Sequence, residues 1–388
     1  MVDKLRGIIT AGAAAFLLSG CWSNSIPTAN SFIRPAASDC RPDGENCLPE
    51  NIIHVFADAN GTFYPSGWMA RPGTDRLRRA NSLLNAVGPD ALARREIEQD
   101  QERQLREIAE LGRAGGRIFI LVHGYNNRVD QADDAYALIE EQLNLRSDDR
   151  IIRFYWDGLT SDNWLGSGRI WFYAVGNSQL VGSRALRDIL RQFHDRDIFL
   201  IGHSRGTSVI LSALGNPIYD PDFLERTRRL ARSWGIDEDR LLHPPALENN
   251  GNDIHVLVAA PAVDRIDFCD ARVQPESGGV NCRGEMLRPL GPQVMSFRYT
   301  VNSADPILRK LIGLGGNFNP TRLGLDESVG AGLRSERYPM MRCYVLRPPM
   351  PEHAFVHYVR HSRFAEMLSD AGIARAVPPR GVEPPSPC

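Results

Sequence analysis

A short apolar strand running straight into a glycine-flanked serine constrains this chain more than any other stretch. Asp197-Ile-Phe-Leu-Ile-Gly-His-Ser-Arg-Gly-Thr207 carries G-x-S-x-G at Gly202 to Gly206, and Thr207 to Leu214 continues with a helical pattern. Strand, tight turn and helix in that order hold Ser204 in a strained bend, where glycines let strand and helix approach closely. A serine so placed is predicted to stand exposed at the carboxyl end of the strand. There the dipole of the following helix favours developing negative charge. Ser204 is therefore the candidate nucleophile. The plain alternative is a glycine-rich β-to-α turn with a capping serine.

A second buried-strand pattern ends in a polar loop, Arg117-Ile-Phe-Ile-Leu-Val-His-Gly-Tyr-Asn-Asn127. His123 precedes the serine in the chain and is read as a structural residue that shapes this loop, while Asn126 and Asn127 suit a turn. On these two motifs the chain resembles the α/β-hydrolase superfamily. Within it, the chain is similar to a bacterial family of uncharacterised serine hydrolases with H-G-Y-N after one strand and G-H-S-x-G after another. The resemblance extends by order of elements over roughly residues 50–370. It implies an α/β fold: a mostly parallel central sheet, helices on both faces and lid-like insertions. It also implies an oxyanion hole built from the backbone amides of Tyr125 and Arg205, and a triad in the chain order Ser, Asp or Glu, His. No cofactor and no metal are implied, and the substrate is left open.

The other triad members are sought downstream. Val294 to Asn302 reads as a strand and runs into Ser303-Ala-Asp-Pro306, so Asp305 occupies the place of the family's acid. Asp264, after the strand Ile254 to Ala260, is the alternative acid. Arg342 to Arg347 is the last strand, followed by a proline-rich loop and a helix predicted over 354–368. The family's base lies on the loop entering the final helix, which favours His353, with His357 as the alternative. His353, His357 and His361 recur every four residues, a spacing that would share one helical face. No cysteine or carboxylate cluster accompanies them, so a metal site is not expected. These assignments imply cleavage of a carboxylic ester or related acyl bond, on a small-molecule or lipid substrate, through an acyl-enzyme. The alternative is a non-catalytic cell-envelope binding protein on a hydrolase scaffold.

The N-terminus addresses location. Lys4 and Arg6 precede an apolar run, Ile8 to Leu18, and Leu18-Ser-Gly-Cys21 closes it. This resembles a bacterial lipoprotein signal over residues 1–20, with a diacylglyceryl group on Cys21; the run is short for a membrane span. Trp22 beside it fits sorting to the outer membrane, facing the periplasm. An oxidising compartment and an even number of remaining cysteines favour disulfides, by proximity Cys40–Cys47, Cys269–Cys282 and Cys343–Cys388.

Residues 21–50 read as a tether, 51–372 as the α/β domain and 373–388 as a proline-rich tail. The long connection 216–253, with its basic helix Phe223 to Arg232, is a candidate lid. A net charge of −2 gives no reason to expect a nucleic-acid partner. Strands near 51–56, 117–122, 151–156 and 197–202 alternate with helices near 130–145, 169–193 and 205–214, which argues a parallel sheet covered on both faces.

Overall fold

The computed structural model describes residues 51–65, 82–83, 87, 90–113, 115–160, 164–272, 282–309 and 321–375. The expected lipoprotein signal with Cys21, the expected tether, nearly all of the expected tail and the expected Cys40–Cys47 pair lie outside the described residues.

The first half of the chain holds β1 (Ile52–Ala57), α1 (Ala91–Arg113), β2 (Ile118–Val122), α2 (Val129–Gln142) and β3 (Arg150–Trp156). After these come α3 (Trp164–Val181), a π-helical turn (Gly182–Leu186), α4 (Arg187–Leu190), β4 (Asp197–His203) and α5 (Gly206–Leu214). The second half contributes α6 (Pro221–Trp234), α7 (Glu238–Leu242), β5 (Asp253–Ala259), β6 (Val294–Val301) and α8 (Glu327–Glu336). It closes with β7 (Met341–Val345), α9 (Phe355–Arg360) and α10 (Ser362–Asp370).

The strands make one seven-stranded sheet in the order β1-β3-β2-β4-β5-β6-β7, and every neighbouring pair is parallel. Parallel strands covered on both faces need no polar alternation. β2, Ile-Phe-Ile-Leu-Val, is accordingly buried at every position. Its side chains still divide by parity: Ile118, Ile120 and Val122 join the core shared with Val209 and Ile210 of α5. Phe119 and Leu121 join the opposite core with Tyr136 of α2 and Tyr358 of α9. The two apolar layers thus arise from the two-residue strand period.

Three expectations need correction or completion. The helix foreseen over 169–193 begins earlier, at Trp164, and the π turn interrupts it before α4. A π turn adds a residue to the hydrogen-bonded ring and re-aims the side chains beyond it. The first residue after it, Arg187, is buried and donates to the carbonyls of Ser212, Ala213, Pro244 and Pro245 and to Asn216 Oδ1. The helix foreseen over 354–368 is two helices. His361 is extended between them (ψ 139°), and its Nδ1 accepts from the Arg363 amide at 3.1 Å, capping α10. His353, His357 and His361 therefore do not share a helical face. The 216–253 connection docks its apolar residues Tyr219, Phe223, Trp234 and Leu241 around Leu180 of α3.

Cys269 and Cys282 form the expected disulfide. Cys343 is also disulfide-bonded, and its expected partner Cys388 lies outside the described residues.

Candidate active site

Strained backbone gathers at one edge of the sheet. Asn126, Leu159, Ser204 and Ala260 all have positive φ, between 45° and 60°, and each comes after the carboxyl end of a strand, β2, β3, β4 or β5. Non-glycine residues persist there only when their surroundings hold them. Around Ser204 (φ 51°) those surroundings are explicit: its N–H donates to Ala259 O at 2.9 Å, and its carbonyl accepts from Thr207 N and Ala262 N. Two glycines bring the motif loops together. A Cβ on Gly206 would lie 2.6 Å from the carbonyl oxygens of Val122 and His123, and one on Gly124 would lie 2.8 Å from Ser204 Cβ. H-G-Y-N and G-H-S-R-G are thus packed against each other.

From Ser204 runs a row of hydrogen bonds. Ser204 Oγ stands 2.9 Å from His353 Nε2, and His353 Nδ1 stands 2.7 Å from Asp305 Oδ2. The second Asp305 oxygen accepts from the amides of Ile307 (2.9 Å) and Leu308 (3.0 Å). Tyr358 donates its hydroxyl proton to Oδ2 at 2.6 Å. Asp305 is fully buried, as befits a carboxylate whose lone pairs all have partners. The sheet brings these groups together because the loops after β4, β6 and β7 leave the same edge.

One expectation fails here. Ser204 is not exposed: 1% of its surface is accessible, and the row meets solvent only through the His353 side chain, 15% accessible. The bend does lift the serine to the strand end, but the Gly124 loop lies on one side of it and His353 on another.

The remaining sequence candidates separate clearly. His357 is exposed on α9 and takes no part in the row. Asp264 caps the short 3₁₀ segment Arg265–Phe268, its carboxylate accepting from the Arg265 amide. The backbone amides of Tyr125 and Arg205 donate to no described acceptor, although Tyr125 belongs to the loop packed on Ser204 and Arg205 comes directly after it. The Arg205 side chain is buried away from that amide. It binds Ala262 O, Ser178 Oγ and Ser208 Oγ and faces Asp267 at 3.4 Å. His123 is structural as expected: Nδ1 donates to Gly124 O at 2.7 Å, and Nε2 accepts from Trp156 N at 3.1 Å. Burial pulls its imidazole down to about 4. Trp171, from the aromatic run of α3, sets its ring edge-on to Tyr125, centroids 4.8 Å apart.

Sequence reasoning passed over His203, Asn302 and Tyr358. His203 Nε2 donates to the His353 carbonyl at 2.8 Å, and its ring stacks on Phe355. Burial, reinforced by the neighbouring His353, holds it far below the ordinary imidazole range. Asn302 Nδ2 donates to Met350 O and to the Tyr358 hydroxyl, and its Oδ1 accepts from Met350 N. The available signals were the place of His203 inside G-H-S-R-G and of Asn302 three residues before Asp305. Tyr358 carried none.

Residues 98–274 match the model of a family described as "Alpha/beta hydrolase of unknown function (DUF900)". The match takes in β2, β4 and Ser204 and stops before Asp305 and His353. No curated protein matches the chain. With this similarity and the all-parallel seven-stranded sheet, the fold is that of an α/β-hydrolase.

Proposed function

We propose that the chain is a serine hydrolase that cleaves a carboxylic ester or related acyl bond, with Ser204 as nucleophile, His353 as base and Asp305 as acid. The observation that carries this reading is the unbroken row from Ser204 Oγ through both His353 nitrogens to Asp305. His353 Nε2 takes the serine proton as Oγ bonds to the acyl carbon, and Asp305 steadies the imidazolium that results. The amides of Tyr125 and Arg205, which donate to no acceptor among the described residues, receive the oxyanion. Collapse expels the alkoxide, which takes the proton from His353. Water then adds to the acyl carbon, His353 accepts its proton, and release of the acid returns that proton to Ser204.

Cys21, as a lipid attachment site, would tether the enzyme to the bacterial envelope, and the presence of an acyl chain on it is testable by mass spectrometry of membrane-extracted protein. The 216–253 connection remains a proposed lid, borne on α3.

The test is labelling by a fluorophosphonate probe, with turnover of short activated esters, on protein beginning after Cys21. Ser204→Ala should lose all labelling and lower turnover roughly 10³-fold or more. Equal labelling of this variant removes the serine from the scheme. The burial of Ser204 favours a second reading, a non-catalytic binding protein on the same scaffold. A wild-type protein that neither labels nor turns over any ester decides for that second reading.

A further inference from the structure

Asp305 Oδ2 serves two donors at once, the imidazole of His353 at 2.7 Å and the hydroxyl of Tyr358 at 2.6 Å. Tyr358 is fully buried in α9, and Asn302 Nδ2 donates to the same hydroxyl oxygen at 2.8 Å, so the hydroxyl proton is directed at the carboxylate. Asn302 also pins both backbone groups of Met350, in the loop that carries His353. One side chain thus fixes the tyrosine and the approach to the base together.

We infer that Tyr358 is a positioning residue that sets how firmly Asp305 holds the proton of His353, acting through Oδ2 and touching no substrate. This rests on the reading of Ser204, His353 and Asp305 as the catalytic groups. A short hydrogen bond from a neutral donor draws negative charge from the carboxylate and leaves less of it for the imidazolium. Among the described residues, the groups that touch His353 are Asp305 from the loop after β6, His203 at the end of β4 and Ser204 directly after it, with Tyr358 acting by way of Asp305. His203 stays neutral through burial, so Asp305 is the only charge among them. Burial and the adjacent Asp305 carboxylate push the phenol above its ordinary range and keep it a donor.

Two substitutions of opposite sign test this. Tyr358→Phe keeps the ring and deletes the donor, so the acid limb of kcat/KM should move up by roughly one pH unit. Replacing Tyr358 by a ring-fluorinated tyrosine makes the donor stronger with the same shape, and should move that limb down. The His353 Nδ1 proton, read by NMR at low field, should move further downfield in the first and upfield in the second. A packing role predicts neither shift, because both variants retain the ring. Thermal unfolding is followed in parallel, and if the Phe variant fails to fold, the fluorinated protein alone decides. Profiles that superimpose on wild type, or limbs that move together, overturn the inference. Ser204→Ala separates the two claims: if it labels like wild type, the catalytic reading itself fails. If it is inert while both Tyr358 variants behave as wild type, only the role of Tyr358 falls.

Discussion

At Ser204 a left-handed backbone costs on the order of 1–2 kcal/mol. The hydrogen bonds to Ala259, Thr207 and Ala262 keep it in place. The neighbouring Gly124 is equally constrained by space. Gly124→Ala puts a methyl carbon 2.8 Å from Ser204 Cβ and 3.1 Å from His203 Nδ1. Stability should fall by about 1–3 kcal/mol, as overpacking does. Probe labelling per folded molecule should slow at least ~10-fold, as a misplaced reacting group does. Urea unfolding and labelling rates on the same preparation check both, and undiminished labelling would separate the H-G-Y-N loop from the serine's chemistry. Ser204, Asp305 and His353 were legible because each sits where a strand ends or a helix is about to begin, and such boundaries show in local pattern. Tyr358 was not, since it meets Asp305 across 53 residues of chain and only packing decides that encounter. The burial of Ser204 was illegible for the same reason.

Among the elements, the strands were read to within a residue or two at most ends, because the change from a continuous apolar run to turn residues is abrupt. The helices were read less well where a side chain, and not the apolar period, sets the boundary. His361 breaks the C-terminal helix by capping α10, and no periodicity announces a cap made by histidine. Arg187 is the stronger case, a basic residue in a helical stretch that turns out to be buried without a carboxylate partner among the described residues. Burial pulls its guanidinium down to about 10, and it ends α5 by binding the Ser212 and Ala213 carbonyls while holding Pro244 and Pro245. Arg187→Met should destabilise the protein by about 3–5 kcal/mol, because buried acceptors lose a charged donor. Arg187→Lys should recover only part of that, a point charge being unable to reproduce the planar fork. Urea denaturation measures both, and a Met variant as stable as wild type would refute the account.

For the whole molecule, a sheet of uniform direction delivers four loops to one edge, which is why motifs scattered over the chain meet. The same compactness makes its stability sensitive to acid. His123, buried and neutral, has its folded value depressed from 6.5 to about 4, so the unfolded chain binds its proton first. The stability this contributes, on the order of 3 kcal/mol, is complete above pH 6.5 and declines as pH falls through the folded value. Asp58 acts in the opposite sense: burial raises it to about 6, so its own contribution to stability falls as pH rises from 3.8 to that value. The two effects largely offset one another, so the expected outcome is a difference. Urea unfolding between pH 4 and 7 should show less loss of stability on acidification in His123→Gln than in wild type, and an identical pH profile in that variant would discount the buried imidazole. Sequence alone gave no access to either effect, because both come from desolvation. Ser204 and His353 stand 149 residues apart. On the proposed reading, a polypeptide still being made carries Ser204 without His353, and β5, β6 and β7 must all be added before that imidazole arrives. Under that reading, reactivity therefore switches on only once the segment after β7 has been added, and a copy terminated before it is harmless to the esters around it.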